Sequence, residues 1–199
     1  MADTGWVFPG TAASYSNKAT PTTLYSNPDN ARADDPNYAS LAGPKFNDGN
    51  APNQGVELVM TNFGFSIPTN GYVITGIETE ISGSTDTNRI GEFAYLTDSA
   101  GSPPSGFIGT AKEDEWTDMD TSIGGAGGIG SPLSRNEHIY GGQWDTWGAD
   151  LTPAIVNSST FGWVFMAYDD LAPVNSFIWY MKMKVYYQKR QPVVVTIGI

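Results

Sequence analysis

The fold of this chain is decided by residues 151–187, LTPAIVNSSTFGWVFMAYDDLAPVNSFIWYMKMKVYY. The last eleven of these residues alternate in character, and the alternation assigns Phe177, Trp179, Met181, Met183, Val185 and Tyr187 to one face and Tyr180, Lys182, Lys184 and Tyr186 to the other. A period of two is typical of a strand with one buried face, whereas a helix would scatter the same side chains around its axis. The sequence therefore predicts a long strand here, with the face that begins at Phe177 packed inward.

Two further elements precede this strand. Thr152 followed by Pro153 combines an N-cap residue with proline at the first helical position, which predicts a short helix from Pro153 to about Asn157. The run FGWVFMAY at 161–168 is continuously apolar and short, as in a buried strand. This half of the chain is therefore predicted to be a short helix and two strands.

The middle of the chain contains three more predicted strands. VELVMTNFGFSIP at 56–68 is the first, YVITGIETEIS at 72–82 follows an Asn-Gly turn, and GEFAYLTDSAG at 91–101 is the third. In the second strand Ile77 and Ile81 share one face while Glu78 and Glu80 share the other, which predicts a sheet with one wet face. Between 99 and 147 glycine and proline recur every few residues, and we expect short strands and long loops there.

Composition sets the protein class. The chain has 199 residues, 40% hydrophobic and 13% aromatic, with only 16% charged, 23 glycines and 13 prolines, the balance of an all-β domain with many turns. It has no cysteine, so disulfides, thiolate metal sites and cysteine nucleophiles are excluded. A net charge of −11 disfavours nucleic acid and anionic membranes as partners. Because no signal peptide or membrane-spanning run is evident, we expect a soluble protein made in the cytoplasm.

The two ends of the chain differ from the middle. Residues 1–55 have isolated aromatics but no long periodic element, which predicts an extended segment that packs on the sandwich or on a neighbour. After Pro192 the tail VVVTIGI is too apolar to stay in water, and we expect it to pair with a sheet edge in its own subunit or another. The predicted units are thus 1–55, a sandwich at 56–190 and a β-arm at 191–199. The predicted interface residues are Val193, Val194, Val195, Ile197, Ile199, Trp6 and Phe8.

One combination of short stretches resembles a known pattern. GFSIP, ITGIETEIS, YGGQWDTWG, LTPAIVNSSTFGWVF and the final lysine-bearing strand ending in VYY are similar to jelly-roll β-sandwich domains of bacteriophage head, neck and tail proteins and related bacterial surface proteins. The resemblance runs from about Val56 to Tyr187. It implies an all-β, antiparallel jelly-roll sandwich with one short helix near 153–157. It also implies a non-enzymatic structural subunit of the virion, such as a capsid decoration, head-fibre or tail protein, which forms a homo-oligomer and contacts other virion proteins.

Candidate catalytic and metal-binding groups are sparse. His138 is the only histidine, so no multi-histidine site can form, and we expect it in a loop or at a strand end. Residues 125–130 match GxGxxG, but Ser131 and Pro132 follow where a helix should start, so we expect a flexible loop. The acidic run around Trp116 supplies weak calcium candidates, Asp114, Asp118 and Asp120, without the spacing of an EF-hand. We expect no cofactor and, without an active-site motif around any carboxylate pair, no enzyme.

Aromatic residues in loop-like contexts suggest an alternative function. Trp144, Trp147, Trp116 and Tyr140 could stack on sugar rings, as in a carbohydrate-binding module used for surface adsorption. Trp and Tyr are also enriched where sandwich ends or subunit contacts are buried. The sequence leaves both alternatives open.

Overall fold

A computed structural model describes residues 1–16, 24–41, 56–85, 90–98, 106–116, 135–168 and 175–191. These residues form two packed antiparallel sheets, which confirms the predicted all-β sandwich. Sheet A has the strand order β1-β10-β5-β8, with β3 also paired to β10, and sheet B has the order β2-β4-β9-β6-β7. The strands are β1 Ala2–Asp3, β2 Thr11–Ser16, β3 Ala39–Leu41, β4 Val56–Thr61, β5 Tyr72–Thr85, β6 Ile90–Thr97, β7 Phe107–Trp116, β8 Asn136–Gly141, β9 Gly162–Tyr168 and β10 Ser176–Lys189.

Eight of these strands pair as nested partners. The outermost pair is β3 with β10, followed inward by β4 with β9, β5 with β8 and β6 with β7. Contacts of β10 with β5 and of β9 with β6 then join the pairs into two sheets. The connectivity is that of one long hairpin rolled up so that successive pairs alternate between the sheets.

The elements with the strongest local patterns form as predicted. The helix α1 spans Pro153–Val156, and its cap is Thr152, whose hydroxyl accepts a hydrogen bond from the Ile155 N–H at 3.2 Å. Strands β9, β10, β5 and β6 lie where the sequence predicts them. The first predicted strand is shorter than expected and ends at Thr61, because Asn62 takes a left-handed backbone with φ of 58° that an extended strand does not accommodate.

The predicted inward face of β10 is wrong at its start. Met181, Met183 and Val185 lie in the main core, as expected, but Phe177 and Trp179 belong to a separate cluster with Tyr180, against Tyr38. The register between β10 and β5 shifts between Ile178 and Tyr180, so Trp179 is an extra residue with no partner on β5. Such a bulge inverts the alternation before it, and Ile178 enters the core in place of its neighbours.

Sequence patterns missed two parts of the fold. The N-terminal residues form β1, β2 and β3 at the edges of both sheets, together with a 3₁₀ turn at Pro28–Ala31, although no strand was predicted there. The second missed element is β7, ten residues long, which begins in GFIGTA and continues into the acidic run around Trp116. β6 is its partner strand, and the pairing includes the acidic residues Glu113 to Glu115.

Candidate functional site

The outer face of sheet A, the face turned away from the core, carries a ladder of charged side chains. On it the Lys182 ammonium lies 2.6 Å from Glu80 Oε1, and the Lys184 ammonium lies 2.9 Å from Glu78 Oε1. Each lysine is directly opposite its glutamate in the β10–β5 register, so ordinary strand pairing brings the charges together. Burial alone would lower the pKa of Lys184, but hydrogen bonds with Glu78 and Tyr186 raise it above its usual value.

Tyrosine hydroxyls extend this ladder at both ends. Tyr186 donates to Glu78 Oε2 at 2.8 Å. The Tyr180 hydroxyl lies 2.7 Å from Glu80 Oε1 and 2.8 Å from Glu137 Oε1, so its single proton serves one carboxylate at a time. Burial and the two carboxylates raise the pKa of Tyr180 well above its usual value. These tyrosines are therefore neutral donors that hold carboxylates in place.

The N-terminal residues cover the ladder. The Trp6 ring centroid lies 4.9 Å from the Lys182 ammonium and 4.1 Å from that of Lys184, and Phe8 packs edge-on against Tyr180 at 6.0 Å. Between them Val7 exchanges two backbone hydrogen bonds with Met183, both of 2.9 Å. The prediction of a wet face is therefore wrong at Glu80, which is buried on this face, where Lys182 and Tyr180 contact its carboxylate.

A tight turn crosses the same face beside the N-terminal residues. It spans Gly142 to Asp145, closed by a 3.1 Å bond from the Asp145 N–H to the Gly142 carbonyl. Ile77 of β5 fixes both ends, since its carbonyl accepts from Gly142 and its N–H donates to Asp145, each at 2.9 Å. The turn sits so close to the sheet that a Cβ on Gly76 would lie 2.1 Å from the Gly142 carbonyl oxygen. Glycine at position 76 is therefore required for this approach.

The candidate sugar-stacking residues separate into different environments. Trp144, at the tip of the turn, is 69% exposed, whereas Trp147 is 0% exposed and donates from Nε1 to the Ile77 carbonyl at 3.1 Å. Tyr140 is buried in the core between the rings of Trp147 and Trp163. The side chain of Trp116 lies outside the described part of the structure. Of the three candidates whose side chains are described, Trp144 is the one exposed to solvent.

Large apolar side chains surround the ladder on this face. Ile139 of β8, directly opposite Glu80, is 54% exposed. Met1 is exposed and its sulfur contacts the side-chain amide of Gln143 in the turn. Phe8 lies over Tyr180, and Trp144 projects from the turn. We call the exposed group of Met1, Phe8, Ile139 and Trp144 the sheet A patch.

A second unusual group lies on the outer face of sheet B. Glu57 of β4 is 1% exposed, between its strand partners Tyr15 and Met166. Its neighbours on this face are buried apolar side chains, including Val59 and Val164, and its Oε2 has no hydrogen-bond partner among the described residues. Burial raises the pKa of Glu57 to about 7. In the sequence this glutamate is marked only by its position inside the apolar run VELVM.

The remaining candidate residues stay dispersed. His138 is half-buried on β8, with its ring 4.5 Å from that of Tyr140. Asp114 lies in β7, whereas Asp118, Asp120 and the GxGxxG match lie outside the described residues. Within the described ranges no group of three or more His, Asp or Glu side chains could share a metal ion, and no helix is long and apolar enough to cross a membrane.

The predicted interface residues are only partly described. Trp6 and Phe8 contact the chain's own β10, as shown above. The other five, in the tail at 193–199, lie outside the described residues. The assembly role assigned to these residues remains a prediction.

Comparisons with known proteins give a distant likeness among solved structures. No protein-family model and no curated protein matches the sequence. Among solved structures the chain is similar to the enzymatically active domain of bacteriophage CBA120 tailspike protein 4, with a TM-score of 0.39 and 8% sequence identity. The superposition covers 94% of this chain and 19% of that chain. At this TM-score and identity the likeness assigns neither a fold family nor an activity to this chain.

Proposed function

We propose that this chain is a non-enzymatic structural subunit of a phage virion, a capsid decoration, head-fibre or tail protein built on a jelly roll. The observation that carries the proposal is the nested pairing of β3 through β10, which supports the jelly-roll body implied by the resemblance at 56–187. Such a sandwich is a rigid scaffold that presents its outer faces and ends to neighbours.

The use of the charged groups supports a structural role. Glu78, Glu80, Lys182 and Lys184 are paired across neighbouring strands, and Tyr180 and Tyr186 donate to the same carboxylates. An acid or base in a catalytic site needs a free position beside it for the reacting atom. On sheet A the ionisable groups instead bind one another beneath Trp6 and Phe8, which stabilises the face and fixes the N-terminal residues to it.

The proposal is tested on particles. Virions are purified from the lysate that contains the chain, its copy number is measured by mass spectrometry, and its position is imaged with a gold-labelled antibody. A fixed copy number at one location on the head, neck or tail is the expected result. Loss of the chain from washed particles would overturn the proposal.

The role of the terminal arm is tested separately. A chain that ends at Gln191 lacks the apolar tail and is expected not to enter particles, because the tail would supply β-pairing with a neighbour. Incorporation of the truncated chain at the wild-type level would contradict the arm's role while leaving the structural role intact.

Carbohydrate binding is the second candidate, and the exposure of Trp144 favours it. A flat indole on a turn fixed by Ile77 is a rigid platform for a sugar ring. Titration with host-surface glycans, followed by tryptophan fluorescence, tests this function. A binding module should lose its glycan affinity in Trp144→Ala and keep it in Leu24→Ala, a matched change at another exposed apolar residue. The absence of binding by the wild-type chain would exclude this function for the glycans tested.

A further inference from the structure

We propose that a second copy of this chain docks on the sheet A patch, so that two outer faces of sheet A pack against each other. The proposal adds a partner to the structural role proposed above and rests on that role. Its test measures self-association in solution, whereas the structural role is tested on particles. The two can therefore fail separately.

The first argument is the distribution of exposed apolar side chains. The described part of the chain has five exposed large hydrophobic residues, Met1, Phe8, Leu24, Ile139 and Trp144, and all but Leu24 belong to the patch. A single exposed apolar residue is ordinary on a soluble protein, but clustering on one face marks an interaction surface. Tryptophan, methionine and phenylalanine are also the apolar types enriched at the centres of protein interfaces.

The second argument is that the patch is held in place before any partner arrives. Trp144 stands on a turn whose two ends are bonded to Ile77, and Ile139 stands on a strand paired with β5. Phe8 follows Val7, whose backbone N–H and carbonyl both form hydrogen bonds with Met183. A surface with a fixed backbone loses little conformational entropy on docking, so more of the burial energy is available for binding.

The third argument concerns the kind of partner. The carboxylates of Glu78 and Glu80 already accept hydrogen bonds or ion pairs from lysine and tyrosine side chains of their own sheet. A sugar site requires polar groups placed to bond the ligand's hydroxyls. A ladder that is satisfied internally and surrounded by apolar side chains instead matches a protein surface of similar character.

The distribution of charge favours a second copy of this chain as the partner. Each chain carries −11, so two copies repel wherever their acidic surfaces meet. The ladder on sheet A contains two lysines and three glutamates, Glu137 included, so its local charge is close to zero. Two copies related by a twofold axis can bring this near-neutral face together and keep their acidic surfaces apart.

Sedimentation velocity of the full chain over a range of concentrations tests the proposal. We expect a wild-type dimer, and we expect Ile139→Glu and Trp144→Glu each to raise its dissociation constant by about tenfold or more, because a charge is placed in an apolar contact. The matched control is Leu24→Glu, which adds the same charge at an exposed apolar residue beside Tyr25, whose N–H donates to Ser14 of β2 in sheet B. The control should dimerise like the wild type.

Other outcomes are equally decisive. A wild-type chain that is monomeric at every concentration overturns the proposal, as does a dimer that Ile139→Glu and Leu24→Glu affect equally. A monomer whose tryptophan fluorescence responds to a glycan in the wild type but not in Trp144→Ala assigns the face to sugar and also overturns the proposal. Circular dichroism of each variant confirms that a change in mass does not come from unfolding, and Ile139→Ser provides an uncharged substitution with the same expected direction.

Discussion

The Lys182 ammonium lies 2.6 Å from Glu80 Oε1, and the two side chains are only 17% and 7% exposed. A pair this far from water differs from a surface salt bridge, because each charge depends on the other for its solvation. Glu80 also accepts from Tyr180, and Lys182 lies under Trp6, so the pair joins β10, β5 and the N-terminal residues. The outer face of sheet A therefore contributes to the stability of the protein in addition to the apolar core.

We predict that Lys182→Met lowers the free energy of unfolding by about 2–3 kcal/mol, because it leaves the Glu80 carboxylate buried without its cation. Urea unfolding at neutral pH measures the change. The matched control is Asp29→Asn, which breaks the Asp29–Arg32 pair, whose carboxylate side chain is 70% exposed. The control should cost less than about 1 kcal/mol, since solvent screens an exposed pair. Equal effects of the two substitutions would contradict the proposed importance of burial.

Glu57 predicts a pH dependence of stability. Burial raises its pKa from 4.5 to about 7 in the folded chain, so the folded state holds a proton that the unfolded state releases near pH 4.5. Stability should therefore fall as the pH rises from 4.5 to 7 and level off above that range, by about 3 kcal/mol in total. The Glu57→Gln variant carries an amide that does not titrate in this range. Its free energy of unfolding, relative to the wild type, should rise by that amount between pH 4 and pH 8, and parallel pH profiles for the two proteins would show that Glu57 does not titrate as argued.

The sequence predicts those parts of the fold whose signal is local. Strands β9 and β10 and the helix α1 have their apolar period or cap within a few residues, and the structure contains all three. Strands β1 and β3 have two and three residues and exist because β10 offers them an edge. A bulge at Trp179 likewise depends on the partner strand, so the sequence alone assigned Phe177 and Trp179 to the wrong face.

The candidate site shows the same limit of local sequence patterns, at two tryptophans in one five-residue stretch. Trp144 and Trp147 both occur in WDTWG and cannot be distinguished by composition or spacing. Their fates differ because Trp147 reaches the Ile77 carbonyl, 70 positions away in the chain, while Gly76 lets the turn that carries Trp144 lie on the sheet. Such distant contacts are a property of the strand pairing, which a local pattern does not contain.

This difference predicts unequal losses of stability for two tryptophan substitutions. Trp147→Ala removes a fully buried ring and its hydrogen bond to Ile77, and it should lower the free energy of unfolding by about 3–5 kcal/mol. Trp144→Ala removes an exposed ring and should change it by less than about 0.5 kcal/mol. Thermal and urea unfolding of both variants, at concentrations low enough to keep the chain monomeric, measure the effects. Comparable losses would mean that the two rings are not placed as described.

Thr79 provides a prediction of increased stability. Its hydroxyl is buried beside the core and has no hydrogen-bond partner among the described residues, so replacing it by a methyl group in Thr79→Val should raise the free energy of unfolding by about 1 kcal/mol. Thr97 is the matched control, since its buried hydroxyl donates to the Gly106 carbonyl at 2.9 Å. Thr97→Val should lower the free energy of unfolding by about 1 kcal/mol, because the same chemical change there removes a hydrogen bond. Urea denaturation of the two variants gives the comparison, and a loss of stability in both would show that the Thr79 hydroxyl has a partner in solution.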